Sequence, residues 1–326
     1  MRRRELILAL GGAAAWPVAA RAQQGSWPPL IGALMNISEN DPSAPVFIAA
    51  FRQQLHDLGW TDGQNARISV RWAGAAGRYR DYAAELAALA PAIVLAATTP
   101  AVIAMREAAP AVPVVFVQAI DPVGSGLVAS LARPGGNATG FTVYEYAIAA
   151  KWLELLKEAA PGITRAAVVR DPTVAAGIGQ FAAIQAVALL GIELSVIGPA
   201  EADAFEQTIA VFAREANSGL IVTASQFAAN HARLIVEAAR RHKLPVVSPF
   251  RYFATAGGLI SYGPDLVEPY RRAAQYIHRI LKGEKPANLP VQAPTKYELV
   301  VNMRTAKALR LELPPSLLAR ADEMIE

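Results

Sequence analysis

Short apolar runs alternate with amphipathic stretches along the chain from Leu30 onward. Residues 30–36, 66–72, 93–97, 114–118 and 139–142 are mostly apolar and of strand length, which predicts buried strands. Between them apolar residues recur at helical spacing: Phe47, Phe51, Leu55 and Leu58, then Tyr82, Leu86 and Leu89, then a helix over 102–108. Gly59 closes the first of these helices. Asp121-Pro122 predicts a further short helix, with Asp as cap and Pro in the first turn.

The rhythm then repeats. Helices are predicted around Trp152, Leu155 and Leu156, around Phe181 and Ile184, around Phe205, Ile209 and Phe212, and around Leu234, Ile235 and Ala238. The intervening runs 166–169, 194–197, 220–223, 246–247 and 259–261 predict strands. Continuous apolar strands between amphipathic helices predict parallel sheets covered on both faces. The class is therefore α/β, with two successive blocks over 30–142 and 143–263, each with its own set of strands. After them come a long helix (Tyr270, Ala274, Ile277, Leu281), a connector with Pro286, Pro290 and Pro294, a strand near 298–301 and a helical tail.

Composition narrows the class. The chain has 326 residues, 53% hydrophobic and 18% charged. That is enough apolar material for a sizeable core and excludes disorder. The long uncharged stretch, Leu6 to Ala20, is fifteen residues, short of the ~20 that a spanning helix needs. With no cysteine, a disulfide scaffold, a thiol nucleophile and a lipid-anchored cysteine are excluded.

Arg2, Arg3 and Arg4 precede the uncharged stretch and Ala20-Arg21-Ala22 follows it. A basic start, an apolar middle and a small-x-small end predict an export signal over 1–22, with an arginine pair that fits the twin-arginine route. The leader holds four arginines and one glutamate, so three of the four net positive charges leave with it. What remains calls for neither nucleic acid nor an anionic membrane. The cluster Arg240, Arg241, His242 and Lys243 falls at a predicted helix C-terminus, where cations complement the dipole.

Candidate chemistry is sparse. His56, His231, His242 and His278 do not pair at metal-ligand spacing, and no cofactor or metal is expected. Gly124-Ser125-Gly126-Leu127-Val128-Ala129 fits the loose dinucleotide pattern, but it follows the fourth strand after a gap, not the first strand directly. No G-x-S-x-G elbow is present. Polar residues do collect where strands end, the rim at which open α/β sheets bind ligands. The first block offers Asn36, Ser38, Glu39, Asn40, Thr98, Thr99, Gln118 and Asp121. The second offers Arg170, Asp171, Ser225, Gln226, Phe250 and Tyr252, with Tyr144 and Tyr262 near the block boundaries. Asp121 and Asp171 precede proline and read as helix caps before ligand contacts.

Several segments carry a resemblance: FRQQLHDLGW at 51–60, AATTPAV at 96–102, VVFVQAIDPVGSGLVASLARPGGNATGFT at 114–142, KWLELLKEAAPG at 151–162, GGLISYGPDLVEPYRRAA at 257–274 and LPVQAPTKYELVVN at 289–302. The chain resembles the periplasmic substrate-binding proteins of ABC importers, in the family that includes the tryptophan/tyrosine binder. The resemblance implies a type I binding-protein fold: two doubly wound parallel-sheet lobes with a hinge, three chain crossovers, and a ligand clamped in the central cleft. The lobes would be 30–142 with 264–290, and 143–263 with 291–326.

By position, Ser38, Thr98, Thr99 and Gln118 would face the cleft from lobe one. Asp171, Ser225 and Phe250 would face it from lobe two, with Tyr144 and Tyr262 near the hinge. Thr98 and Thr99 are expected to hold the ligand's acidic or carbonyl end, and Phe250 or Tyr262 its body. The implied partners are a small polar or aromatic solute and an inner-membrane ABC permease, for a periplasmic monomer without catalytic turnover. A sensor presenting the solute to a receptor kinase, or a secreted hydrolase using Ser225, are the alternatives.

Overall fold

The computed structural model describes residues 28–74, 77–143, 146–172, 175–188, 191–200 and 202–326. The leader expected over 1–22, and Tyr144, lie outside them. The first apolar runs form β1 (Leu30–Met35), β2 (Arg67–Trp72), β3 (Ile93–Ala97), β4 (Val114–Ala119) and β5 (Ala138–Thr142). They pair in the order β2-β1-β3-β4-β5, all parallel. Every residue of β1, β3 and β5 is buried, which is why these strands read as unbroken apolar runs. The edge strand β2 is mostly half-buried and alternates polar with apolar.

Helices cover both faces. Ala44–Asp57 and Glu268–Leu281 pack on one through Phe51, Leu55, Tyr270 and Ile277. Tyr79–Ala88 and Thr99–Ala108 pack on the other through Leu86, Val102 and Met105. The Phe47 and Tyr270 rings stack at 4.7 Å, tying a late helix to the earliest one.

The second sheet contains β6 (Arg165–Val169), β7 (Glu193–Ile197), β8 (Ser218–Val222), β9 (Val246–Ser248), β10 (Ile260–Pro264), β11 (Tyr297–Asn302) and β12 (Glu323–Ile325). Its order is β12-β11-β10-β9-β8-β6-β7. From β7 to β10 it repeats the order of the first sheet; β11 then adds antiparallel to β10 and β12 parallel to β11. Trp152, Leu156 and Ile184 cover one face, and Phe205, Ile209 and Ile235 the other. The predicted tail is two short helices, Met303–Leu309 and Pro315–Leu318, and ends in the unforeseen strand β12.

The chain passes between the lobes three times: from β5 to the helix Ile148–Ala159, from β10 to the helix Glu268–Leu281, and from the 290–296 segment to β11. The third passage leaves from the edge of β5. There Gln292 N–H donates to the Gly140 carbonyl at 3.0 Å, and the Gln292 carbonyl accepts from Thr142 N–H at 2.9 Å. Val143 and Ala224 are buried between the lobes, with Ile120, Phe250, Leu266 and Tyr297 packed around them. Ile120 follows β4, Ala224 follows β8 and Phe250 follows β9, so the C-terminal ends of the two sheets meet at this cluster.

One predicted element is absent. After Asp121-Pro122 the chain makes successive turns, with Ser125 N–H donating to the Asp121 carbonyl and Leu127 N–H to that of Pro122, both at 2.9 Å. Gly124 and Gly126, the latter at φ 68, favour the turns over a helix. Among the described residues, no helix is long and apolar enough to cross a membrane.

Candidate functional site

On the first lobe, Asn36 follows β1, Thr98 follows β3 and Gln118 lies near the end of β4. These strands are neighbours, so the three residues stand side by side on the rim. Asn36 Oδ1, Thr98 Oγ1 and Gln118 Nε2 are buried without a well-formed hydrogen bond. Leaving a buried polar atom unmet costs about 1–3 kcal/mol, and native structures rarely do so unless a ligand, ion or water completes the set. The polar neighbour of the Thr98 hydroxyl is the Tyr79 phenol, whose pKa is raised by burial and drawn back by that hydroxyl.

The backbone here is unusual as well. Thr98 sits at φ 77 and ψ 159, a region used almost only by glycine, and Gln118 and Asp121 have φ 56 and 45. The β4–β5 register shifts between Phe116 and Ala119, a bulge that re-aims Gln118. Strain of about 1–3 kcal/mol at such a residue persists only where the surroundings impose it, and it clusters at ligand sites.

The other first-lobe candidates are placed differently from expectation. The Thr99 hydroxyl is 3.3 Å from both the N–H and the carbonyl of Ile120, joining the ends of β3 and β4 rather than standing free. Ser38 is exposed, and its carbonyl accepts from Asp41 N–H at 3.1 Å to start a turn. Asp121 Oδ1 accepts from Gly124 N–H at 2.8 Å, so the N–H that a dinucleotide phosphate would use is already taken. Its Oδ2 lies 3.4 Å from the Tyr146 hydroxyl. Burial, then the Asp121 charge, pushes that phenol up to about 12. Asp121, Tyr146, Thr142 and Ala293 line a pocket of ≈ 190 Å³ beside two of the passages.

On the second lobe, Thr223 and Ser225 are satisfied internally. Thr223 Oγ1 donates to the Val169 carbonyl at 2.9 Å. Ser225 Oγ accepts from Ala228 N–H at 3.0 Å and caps the helix Gln226–Asn230. His231 Nδ1, in the turn after this helix, pairs with the Phe227 carbonyl at 2.9 Å. Asp171 is half-buried and engaged within the fold. Phe250 stacks on Tyr252 at 5.4 Å and packs into the cluster between the lobes. Tyr262 lies 5.9 Å from the Tyr297 ring, and its carbonyl accepts the Trp152 indole N–H at 2.8 Å.

On the second lobe's rim, Arg170 Nε and Gln180 Nε2 are buried without a hydrogen-bond partner. The Arg170 guanidinium lies over the Phe181 ring at 4.6 Å. Gln180 is fully buried, and its Oε1 accepts from Ala224 N–H at 3.0 Å. The structure thus brings Asn36, Thr98 and Gln118 together on one rim, with Arg170, Gln180 and Phe250 on the other. Two lobes, three passages and unmet polar groups on facing rims are the arrangement of a ligand clamp.

The family model described as ABC transporter substrate binding protein matches residues 37–325. The chain belongs to this family. Among relatives of the substrate-binding protein, one named tyrosine-binding protein from Clostridioides difficile (strain R20291) is 24% identical over 273 residues, 83% of this chain and 78% of the relative. A Streptococcus pneumonia structure in complex with L-Trp superposes with a TM-score of 0.82 at 24% identity, covering 92% of this chain and 100% of that one. A conserved domain protein from Vibrio cholerae gives 0.79 at 23% identity, with 91% and 100% covered. The fold of the substrate-binding protein is thus of the periplasmic-binding type, with two α/β lobes built on parallel sheets.

Sequence reasoning placed Asn36 and Arg170 on the rim without singling them out, and missed Tyr79 and Gln180. A signal for Gln180 existed: it is a polar residue in the helix AAGIGQFAAIQAVA, directly beside Gly179. A buried amide in an apolar helix needs a partner.

Proposed function

We propose that this substrate-binding protein captures an amino-acid-like, aromatic solute between its lobes outside the cytoplasm and delivers it to an ABC permease. The observation that carries this reading is the set of unmet polar atoms on Asn36, Thr98 and Gln118, across the cleft from Phe250. Amides and a hydroxyl orient a polar end, while Phe250 and Tyr262 supply flat apolar surface. The relatives named for tyrosine and bound to L-Trp support the same solute class. Closure about the three passages would bury the ligand, and only a solute with higher affinity for the closed state shifts that balance. Membership of the family supports transport rather than turnover.

Thermal melting in the presence of aromatic amino acids, aliphatic amino acids and sugars tests the reading. Ligand at a hundred times its Kd stabilises by about 2.7 kcal/mol, so an aromatic amino acid should raise the melting temperature by several degrees. Stabilisation by sugars alone would replace the proposed solute class.

A further inference from the structure

We infer that the ligand is a carboxylate, and that its anionic end is held from lobe two by Arg170 and Gln180. This deepens the proposed reading and rests on it. A hydroxyl or amide at the rim accepts either a donor or an acceptor from a ligand. A guanidinium donates only, always carries its charge, and matches a carboxylate in shape. Among the rim groups with unmet atoms, Arg170 is therefore the one that demands an anion.

Its placement fits. Arg170 directly follows β6, with its N–H donating to the Ile197 carbonyl at 3.0 Å, so it stands at the C-terminal rim of the sheet. Among the described residues no carboxylate forms an ion pair with it, whereas Arg165, at the start of the same strand, pairs with Glu193 and Glu215. Asp171 beside it is engaged and half-buried. The Phe181 ring 4.6 Å below holds the guanidinium plane in place, so little side-chain freedom is lost on binding.

Gln180 adds a second donor of fixed direction. Its Oε1 is held by Ala224 N–H, which fixes the amide and leaves Nε2 as the free end. Ala224 itself belongs to the cluster between the lobes, so this amide lies where the two rims meet. A carboxylate offers two oxygens and several lone pairs, enough for both donors at once. With the acid end on lobe two, Asn36, Thr98 and Gln118 meet the ligand's other polar groups from lobe one, and one molecule bridges both rims. This relocates the acid end from the Thr98-Thr99 pair expected from sequence, whose second hydroxyl is bound to Ile120.

The test is calorimetric titration of the mature chain with four indole compounds. L-tryptophan and indole-3-propionate carry the carboxylate; L-tryptophanamide and tryptamine do not. The wild type should bind the first two about ten- to a hundredfold tighter than the last two. Arg170→Met should erase that preference and leave tryptamine unchanged, and Gln180→Leu should reduce it. Arg170→Lys, which keeps the charge but not the fork, should recover part of it. Circular dichroism checks that each variant is folded, and the wild-type ranking stands as the measure if Gln180→Leu is not.

Equal binding of acids and non-acids, or a preference that survives Arg170→Met, overturns the inference while leaving solute capture intact. Binding of none of the four overturns both the inference and the aromatic solute class.

Discussion

In the first lobe Asn36 and Thr98 directly follow β1 and β3, and Gln118 lies near the end of β4; on the corresponding strands of the second sheet, Arg170 and Thr223 directly follow β6 and β8, and Phe250 lies two residues past β9. The strand order is the same, and the chemistry is not. The first rim keeps an amide oxygen, a hydroxyl and an amide nitrogen unmet, on a backbone with three positive-φ residues. The second rim spends Thr223 and Ser225 on its own backbone and presents one cation, one amide and an aromatic wall. A shared topology puts residues at equivalent strand ends in both lobes; whether each polar atom there is already satisfied is what differs between them.

The largest effects are expected where both lobes are alike. Gly140 in β5 would place a Cβ 2.0 Å from the Phe116 carbonyl oxygen, and Gly263 in β10 would place one 1.7 Å from that of Pro249. Both obstacles are backbone, so Gly140→Ala and Gly263→Ala should each destabilise by about 3 kcal/mol in urea unfolding. An unchanged midpoint for either would mean the close approach is not real.

Thr98→Gly separates binding from stability. Glycine accepts φ 77 freely, so folding should gain about 1 kcal/mol. Loss of the hydroxyl should weaken binding about tenfold. Calorimetry paired with a denaturation curve reads both, and lower stability would contradict the strain argument. Thr223→Val should do the reverse: about 1 kcal/mol less stable through the lost bond to Val169, with affinity retained. Weaker binding on this change would erase the contrast between the rims.

The smallest effect concerns Tyr146, which reaches from the second lobe's Gly179 towards Asp121 on the first. Its pKa is raised from 10.0 to about 12. The folded state thus holds this proton more tightly, and the stability it confers is complete below pH 10 and lost as pH rises toward 12. Tyr146→Phe should flatten that part of the stability–pH curve, and identical curves would remove the contact from the account.

Much of the fold was legible because its cause is local. β1, β3 and β5 are buried on both faces and so are unbroken in sequence. The predicted helix after Pro122 failed because Gly124 and Gly126 outweigh a favourable start. β12, three residues with alternate burial, carries too little pattern to be seen. The rim positions were legible from strand ends, but their state was not. Thr99 is held by Ile120, 21 residues on, and Gln180 by Ala224, 44 residues on, through pairings that only the assembled sheets create.

The central claim is that the unmet atoms of the first rim exist for the ligand, and Gln118→Ala tests it most directly. Its Nε2 has no partner in the fold, so removing it costs no internal hydrogen bond. Titration with L-tryptophan should show affinity lower by about ten- to a hundredfold, with a melting temperature of the free protein at or above that of the wild type. Wild-type affinity together with a lowered melting temperature would contradict the account, because Gln118 would then be serving the fold and not the cleft.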